Sequence, residues 1–117
     1  MLEISRHQAI YLAVKPVDMR KSFDGLSAIV YDVLKLNPLA GQLFVFRNKS
    51  GDKIKLLMWD RNGFVQYYKR LEKGRFKWPE RTGEKYSITA RELELLMDGV
   101  DLKRIKRLPS IELTGVV

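Results

Sequence analysis

The sequence predicts a single α+β domain, an antiparallel β-meander of four to five strands packed against two helices at about residues 19–36 and 90–98. Three observations support this class. Apolar and polar residues alternate between residues 42 and 78, turn residues interrupt that stretch about every ten positions, and the flanking stretches repeat apolar residues every three to four positions. The 117 residues suit one domain, with a core at about 8–102 and a basic extension at 103–117.

The early part of the chain predicts a strand and then a helix. Residues 10–14 (IYLAV) are apolar and favour a strand that stops at Lys15-Pro16. We expect the helix to be capped by Asp18 and to end at Asn37-Pro38, because proline cannot continue the helical hydrogen bonds. Its apolar positions are spaced three or four apart: Phe23, Leu26, Val30, Val33 and Leu34.

The predicted meander follows, with strands at 42–47, 53–59, 64–71 and 75–78. The turn Asp60-Arg61-Asn62-Gly63 contains Asn-Gly, a strong hairpin signal because both residues accept positive φ. Alternation along the second strand separates its side chains into two faces. One face carries Ile54, Leu56 and Met58, and the other carries Lys53, Lys55, Leu57 and Trp59.

The last part of the chain predicts a polar connection at 80–86 and the second helix. Thr89 and Glu92 fit a capping box, in which each side chain accepts a hydrogen bond from the other residue's backbone amide. Ile88 and Leu93 have the spacing of a hydrophobic staple. Gly99 can end the helix, since glycine readily adopts the left-handed conformation.

The composition is that of a soluble globular chain with a large positive charge. Hydrophobic residues make up 45%, and 22 Lys and Arg against 14 Asp and Glu give a formal net charge of +8. This charge favours nucleic acid as partner, with an anionic membrane surface as the second possibility. Cysteine is absent, which excludes disulfides and thiolate chemistry. No apolar run approaches the ~20 residues of a membrane helix, so we expect a cytoplasmic protein without membrane contact.

Most of the charge comes from one quarter of the chain. Residues 47–77 contain ten Lys or Arg and three acids, a difference of +7. Together with the basic run 103–107, this stretch supplies the candidate nucleic-acid contacts. They are Lys53, Lys55, Arg61, Tyr67, Lys69, Arg70, Arg75, Lys77, Trp78, Lys103, Arg104, Lys106 and Arg107. The alternative is that the cations are a solvated outer face and the aromatic residues belong to the core.

Groups for catalysis are scarce, so the sequence predicts no enzyme, no cofactor and no metal. His7 is the single histidine and has no recognisable nucleophile partner. Neither GxxxxGK[ST] nor GxGxxG occurs. Four aspartates are candidate ligands for the metal ions of a nuclease, but each has a structural explanation as a cap, turn or solvated residue. They are Asp18, Asp24, Asp60 and Asp98.

Three blocks resemble a known family: MRKSFDGL (19–26), GDKIKLLMWDRNGFVQYYKRLEKGRFKWP (51–79) and ITARELELLMDGVD (88–101). They are similar to the TnpB-type accessory proteins, encoded by the second reading frame, of the sixty-six family of bacterial insertion sequences. The resemblance covers about residues 10–104. It implies a protein encoded beside a larger transposase that carries the catalytic acids, and it transfers no catalytic residue to this chain.

These observations together favour a non-catalytic accessory protein of transposition that binds DNA, with the element's ends as the expected target, through a basic, aromatic sheet face. Its expected partners are DNA, the transposase and other element-encoded proteins, and homo-oligomers and nucleoid association stay open. One alternative is an adaptor that contacts the transposase without touching DNA. Another is a binder of RNA or single strands that uses Tyr67 or Trp78 for stacking.

Overall fold

The computed structural model describes residues 8–105, apart from the side chains of Arg104 and Ile105. His7, Lys106 and Arg107, named above, lie outside the described residues. The elements in chain order are β1 (Ile10–Ala13), α1 (Phe23–Asp32), β2 (Leu43–Arg47), β3 (Lys53–Asp60), β4 (Gly63–Arg70), β5 (Lys85–Ile88), α2 (Ala90–Met97) and the short α3 (Leu102–Ile105).

The strands form one mixed sheet in the order β4-β3-β2-β1-β5. β2, β3 and β4 are an antiparallel meander, as predicted. β1 runs parallel to β2, and α1 is the crossover between them, since parallel neighbours need a long connection. β5 pairs antiparallel with the free edge of β1. The predicted α+β class is therefore confirmed, with a sheet that is mostly antiparallel.

The sheet has a core on each face, because the helices cover opposite sides. On one face, Leu26 and Val30 of α1 pack with Phe44 and Leu57 of the central strands. On the other face, residues of α2 pack against the sheet, and the fully buried members of this cluster include Ile10, Leu43, Ile54, Leu93 and Leu96. The predicted separation of β3 side chains is confirmed, since Ile54 and Leu56 belong to the α2 side and Leu57 belongs to the α1 side.

The predicted strand at 75–78 is wrong. These residues form an extended connection that crosses the end of the sheet on the α2 side. Phe76 is buried and its backbone N–H donates to Gly51 O at 2.8 Å, while the Trp78 indole donates to Ala13 O. The chain thus passes from the β4 edge to the end of β1. β5 begins within the predicted polar connection at 80–86 and continues beyond it, as a short strand with exposed side chains at 85 and 87.

Helix α1 is shorter than predicted at both ends. Asp18 does not cap it, because its carboxylate accepts from the backbone N–H and guanidinium of Arg20 instead. The N-cap residue is Ser22, without a side-chain capping bond. At the other end, Lys35 rather than Asn37 adopts the left-handed conformation, with φ 58°. Asn37 begins the following turn by accepting from the Leu39 N–H.

The turn between β3 and β4 also differs from the prediction. Asp60 pairs with Gly63, so the turn consists of Arg61 and Asn62. Arg61 has φ 52°, whereas Gly63 keeps an ordinary strand conformation. The reason is the register, which places Asp60 opposite Gly63 and leaves two residues for the turn. The hairpin is confirmed, but its left-handed residue is not the one that Asn-Gly suggests.

The predicted ends of α2 are confirmed in detail. Thr89 Oγ1 accepts from the Glu92 N–H at 3.1 Å, and Glu92 Oε1 accepts from the Thr89 N–H at 2.9 Å. Ile88 and Leu93 are both buried, as a staple requires. At the far end Gly99 has φ 81°, and Val100 N–H donates to Leu95 O, which is a Schellman motif. No helix within residues 8–105 is long and apolar enough to cross a membrane.

Candidate nucleic-acid interface

The β3–β4 register divides the predicted contact residues between the two faces of the sheet. Lys53 lies opposite Arg70, and Lys55 lies opposite Tyr68, on the α1 side. On the α2 side, Leu56 lies opposite Tyr67, and Lys69 follows Tyr68 along the strand. Paired residues share a face of a sheet, and successive residues alternate between faces. The predicted residues therefore do not form one continuous basic and aromatic sheet face.

Lys55 is an internal cation. Its side chain is buried, with 5% exposure, and its ammonium donates to Met19 O at 2.7 Å and to Lys21 O at 2.8 Å. The ammonium also lies 4.7 Å from the centre of the Tyr68 ring. Burial lowers the pKa of Lys55, and the charge of Asp18 opposes that shift. Lys55 thus joins the sheet to the loop before α1.

Three further predicted residues have partners within the protein. Lys69 donates from Nζ to Met97 O at the end of α2, at 3.1 Å. Tyr67 is half-buried and packs in the α2-side core. Trp78 donates from Nε1 to Ala13 O at 3.0 Å, and the Arg47 guanidinium lies over its ring. Contacts within the protein explain the positions of these three side chains. For the two aromatic residues this agrees with the alternative that they belong to the core.

Five cations gather at one end of the sheet, where β2 and β4 finish and β3 begins. Four of them are exposed and Lys53 is half-buried. None of the five takes part in an ion pair or a side-chain hydrogen bond. We call this surface the basic end, and it consists of Lys49, Lys53, Lys73, Arg75 and Lys77.

Backbone hydrogen bonds hold the segments of the basic end together. Gly51 has φ 81°, and its carbonyl accepts from Phe76 N–H, which brings the β2–β3 loop against the crossing connection. A Cβ at Gly51 would lie 3.6 Å from the Arg75 Cβ, so the two segments are in close contact. Leu71 N–H donates to Asp52 O at 2.8 Å. These contacts therefore hold the cations of two separate segments close to each other.

Asp52, the acid of the β2–β3 loop, is held by polar groups of the same loop. Asp52 accepts from Asn48 Nδ2 at 2.7 Å and from Ser50 Oγ at 3.1 Å. The pKa of Asp52 is lowered, and the hydrogen bond from Asn48 is the largest cause. Asn48 Oδ1 in turn accepts from the backbone N–H groups of Gly51 and Lys53. The loop is thus stabilised by its own polar groups, and Asp52 forms no ion pair with Lys49 or Lys53, although the charge of Lys53 contributes to the lowered pKa of Asp52.

Six cations elsewhere in the described residues form ion pairs with acids. Arg70 contacts Glu72 at 3.1 Å, and Arg61, in the turn at the opposite end of the sheet, contacts Asp60 at 3.7 Å. Lys103 contacts Glu80 at 3.3 Å, which places the start of the run 103–107 beside the connection that leaves the basic end. The remaining pairs are Lys15–Glu84, Arg20–Asp18 and Arg91–Glu94.

Of the predicted contact residues, the structure brings Lys53, Arg75 and Lys77 together, with Arg70 beside them. It adds Lys49 and Lys73, which belong to the charge excess at 47–77 but were not among the predicted contact residues. The sequence feature that points to these two lysines is the excess of basic over acidic residues at 47–77. Within residues 8–105 no group of three or more His, Cys, Asp or Glu could hold a metal ion.

A family model described as "IS66 Orf2 like protein" matches residues 8–107. The chain belongs to this family. The resemblance predicted from the three sequence blocks is therefore confirmed, and membership associates the chain with insertion sequences as an accessory protein. No solved structure matches the chain.

Two similar proteins come from Sinorhizobium fredii strain NBRC 101917 / NGR234. "Uncharacterized protein y4hO" is 41% identical over 101 residues, which cover 86% of this chain and 88% of that protein. "Uncharacterized protein y4jC" is 37% identical over 109 residues, which cover 93% of each. The similarity spans nearly the whole domain in both cases, so it is a likeness of the complete fold rather than of one motif.

Two of the blocks that identify the IS66 Orf2-like family contact each other in the structure. Lys55, from the central block, holds the carbonyls of Met19 and Lys21 from the first block. Further along, the Phe23 and Phe64 rings stack with centroids 6.5 Å apart. The two blocks therefore form a packing contact between the β1–α1 segment and the β3–β4 hairpin.

Proposed function

We propose that this IS66 Orf2-like protein is a non-catalytic accessory protein of transposition that binds DNA through its basic end and assists a separate transposase. The supporting observation is the group of five cations without acidic partners, held at one end of the sheet by Gly51 and the crossing connection. Uncompensated Lys and Arg are the groups that neutralise phosphates. Lys103, the first residue of the basic run 103–107, contacts Glu80 of the connection that leaves the basic end.

Phosphate binding has a quantitative consequence. Each phosphate that the protein neutralises releases condensed counterions, so the affinity falls with salt by a log–log slope of about −0.9 per contact. Five contacts correspond to a slope of about −4.5. A titration of the purified chain with a fluorescent DNA duplex between 50 and 200 mM salt measures this slope. A flat salt response would contradict the proposal.

A pair of matched double variants tests which surface binds. Lys49→Gln/Lys77→Gln removes two unpaired cations of the basic end, whereas Arg61→Gln/Arg91→Gln removes two cations that have acidic partners elsewhere. Both change the net charge by −2. We expect the first to weaken duplex binding by at least about tenfold and to reduce the salt slope by about 1.8. Equal effects of the two variants would mean that net charge, not the basic end, determines binding.

The second candidate function is an adaptor to the transposase without DNA contact. Phe23 favours it, because its ring is 42% exposed although it stacks on Phe64, which in turn packs edge-on against Trp59. Exposed aromatic residues are typical anchors of protein interfaces. This group lies towards the β3–β4 turn, away from the basic end, so the two functions use different surfaces.

Co-purification with the element's transposase after nuclease treatment tests the adaptor. Under this function, Phe23→Gln reduces recovery of the transposase, whereas Leu39→Gln, which changes another exposed apolar residue, does not. The Lys49→Gln/Lys77→Gln variant would retain full recovery. Loss of recovery after nuclease treatment of the unmodified chain would show that DNA, not a protein contact, connects the two proteins.

The proposal assigns catalysis to the transposase. Asp18 and Asp60 form ion pairs with Arg20 and Arg61. We expect the purified chain to leave DNA intact in Mg²⁺, as followed by gel electrophoresis. Mg²⁺-dependent cleavage that Asp18→Ala or Asp60→Ala removes would overturn this assignment.

A further inference from the structure

The aromatic rings around the basic end are already engaged within the protein. The Trp78 indole N–H donates to Ala13 O, and Arg47 lies 5.7 Å from the ring centre. The Arg81 guanidinium lies 4.2 Å from the centre of the Tyr86 ring, and the Tyr86 hydroxyl accepts a hydrogen bond from the same guanidinium. Tyr67 packs in the α2-side core. These rings do not offer free faces to an unstacked base.

Tyr68 is the exception among the aromatic residues of this part of the sheet. It is 50% exposed on the α1 side of β4, two residues before Arg70. The Lys55 ammonium occupies a position 4.7 Å from its ring centre. One half-exposed ring is less than proteins use for single strands, which stack successive bases on several aromatic side chains. The basic end therefore offers charge without a stacking platform.

The cations are spread across several strands. The connection that carries Lys73, Arg75 and Lys77 runs from the β4 edge to the end of β1, where Trp78 meets Ala13. Three strand spacings of about 4.8 Å make this a span of about 14 Å. The major groove of B-DNA is about 12 Å wide and the minor groove about 6 Å, so cations along this span can reach phosphates on both sides of a groove.

From these observations we propose that the basic end binds the phosphate backbone of double-helical DNA regardless of its base sequence, and does not bind the bases of an unpaired strand. The inference rests on the proposed DNA-binding function and specifies its ligand. A duplex carries more charge per unit length than a single strand, and its log–log salt slope per contact is larger, about −0.9 against about −0.7. A site that works by charge alone favours the duplex.

Fluorescence anisotropy with three probes tests the ligand class: two 20-base-pair duplexes of unrelated sequence, and oligo(dT) of the same length. At equal salt we expect the two duplexes to bind within about twofold of each other, because phosphate contacts carry no sequence information. We expect oligo(dT) to bind at least about fivefold more weakly. The duplex slope should be near −4.5.

Two single variants separate charge from stacking. Lys77→Gln should weaken duplex binding severalfold and reduce the salt slope by about 0.9, whereas Tyr68→Ala should leave duplex affinity within about twofold. Circular dichroism melting confirms that each variant is folded. If Tyr68→Ala does not fold, the comparison of the three probes on the unmodified chain decides the question without it.

The outcomes distinguish this inference from the proposed function. Tighter binding of oligo(dT) than of either duplex, lost in Tyr68→Ala, would overturn the duplex preference while leaving nucleic-acid binding intact. A difference above about tenfold between the two duplexes would overturn sequence independence. Absence of binding to all three probes at low salt would overturn the proposed function itself.

Discussion

At the scale of single residues, burial determines what a basic side chain does. Lys55 and Lys53 lie two positions apart on the same side of β3 and are indistinguishable in the alternating pattern. Lys55 lies beneath the β1–α1 loop and donates to two of its carbonyls, whereas Lys53 lies at the strand's start without a side-chain partner. The first lysine stabilises the fold, and the second is free for a ligand.

This difference predicts unequal effects of one substitution. Lys55→Met keeps the apolar stem but leaves the carbonyls of Met19 and Lys21 without their donor, and we expect a loss of about 1–3 kcal/mol in the free energy of unfolding. Lys53→Met removes the same charge from a half-buried position and should change it by less than about 0.5 kcal/mol. Urea denaturation measures both. Equal losses would contradict the structural role of Lys55.

Asp18 provides a second prediction at this scale. The guanidinium hydrogen bond from Arg20, followed by the backbone hydrogen bond from Arg20, lowers the pKa of Asp18 to about 2. Because the folded-state pKa is depressed, this interaction contributes stability above the ordinary pKa of about 3.9 and loses it as the pH falls through about 2. Arg20→Gln should raise the Asp18 pKa, as followed by carboxyl NMR titration. An unchanged pKa in that variant would show that Arg20 is not the cause.

At the scale of elements, local signals succeed where the stabilising groups are close in the chain. The α2 boundaries follow from a capping box, a staple and a Schellman motif, all formed within a few residues. The start of α1 does not, because Lys55, more than thirty residues away, holds the loop that was predicted as helix. The strand β5 was missed because it pairs with β1 across the chain and has half of its side chains exposed.

The capping box leads to a prediction for α2. Thr89→Ala removes the acceptor of the Glu92 N–H and should lower the free energy of unfolding by about 1 kcal/mol. Ser87→Ala, in the exposed position of the neighbouring strand, should change it by less than about 0.5 kcal/mol. Thermal melting of both variants provides the comparison. A Thr89→Ala chain as stable as the parent would show that the cap contributes nothing.

At the scale of the whole molecule, charge is segregated between the two ends of the sheet. The basic end gathers five cations without acidic partners, while Arg61 at the opposite end is paired with Asp60. Unpaired like charges repel one another, so this arrangement lowers stability. In water, two such charges about 10 Å apart repel by about 0.4 kcal/mol before screening. The surface therefore carries a cost in stability, which accords with a binding role.

The repulsion predicts how stability depends on salt without any ligand. The Lys49→Gln/Lys77→Gln chain should melt at a higher temperature than the parent at about 20 mM salt, and the difference should vanish near 0.5 M, where charges are screened within a few ångströms. The Arg61→Gln/Arg91→Gln chain should show no such gain, because it loses cations with acidic partners. Equal melting of all three chains at low salt would indicate that the lysines do not interact.

Sequence by itself determined the α+β class, the meander of β2 to β4, the ends of α2 and the family, since alternation, turn residues and caps act over a few positions. It also located the charge excess at 47–77. Tertiary structure alone decided which cations are free. The pairing of β3 with β4 put Lys55 under the loop before α1, and the crossing connection brought Arg75 and Lys77 beside the β2–β3 loop. Exposure depends on contacts between distant segments, so the pattern predicted a basic face where folding produced a basic end.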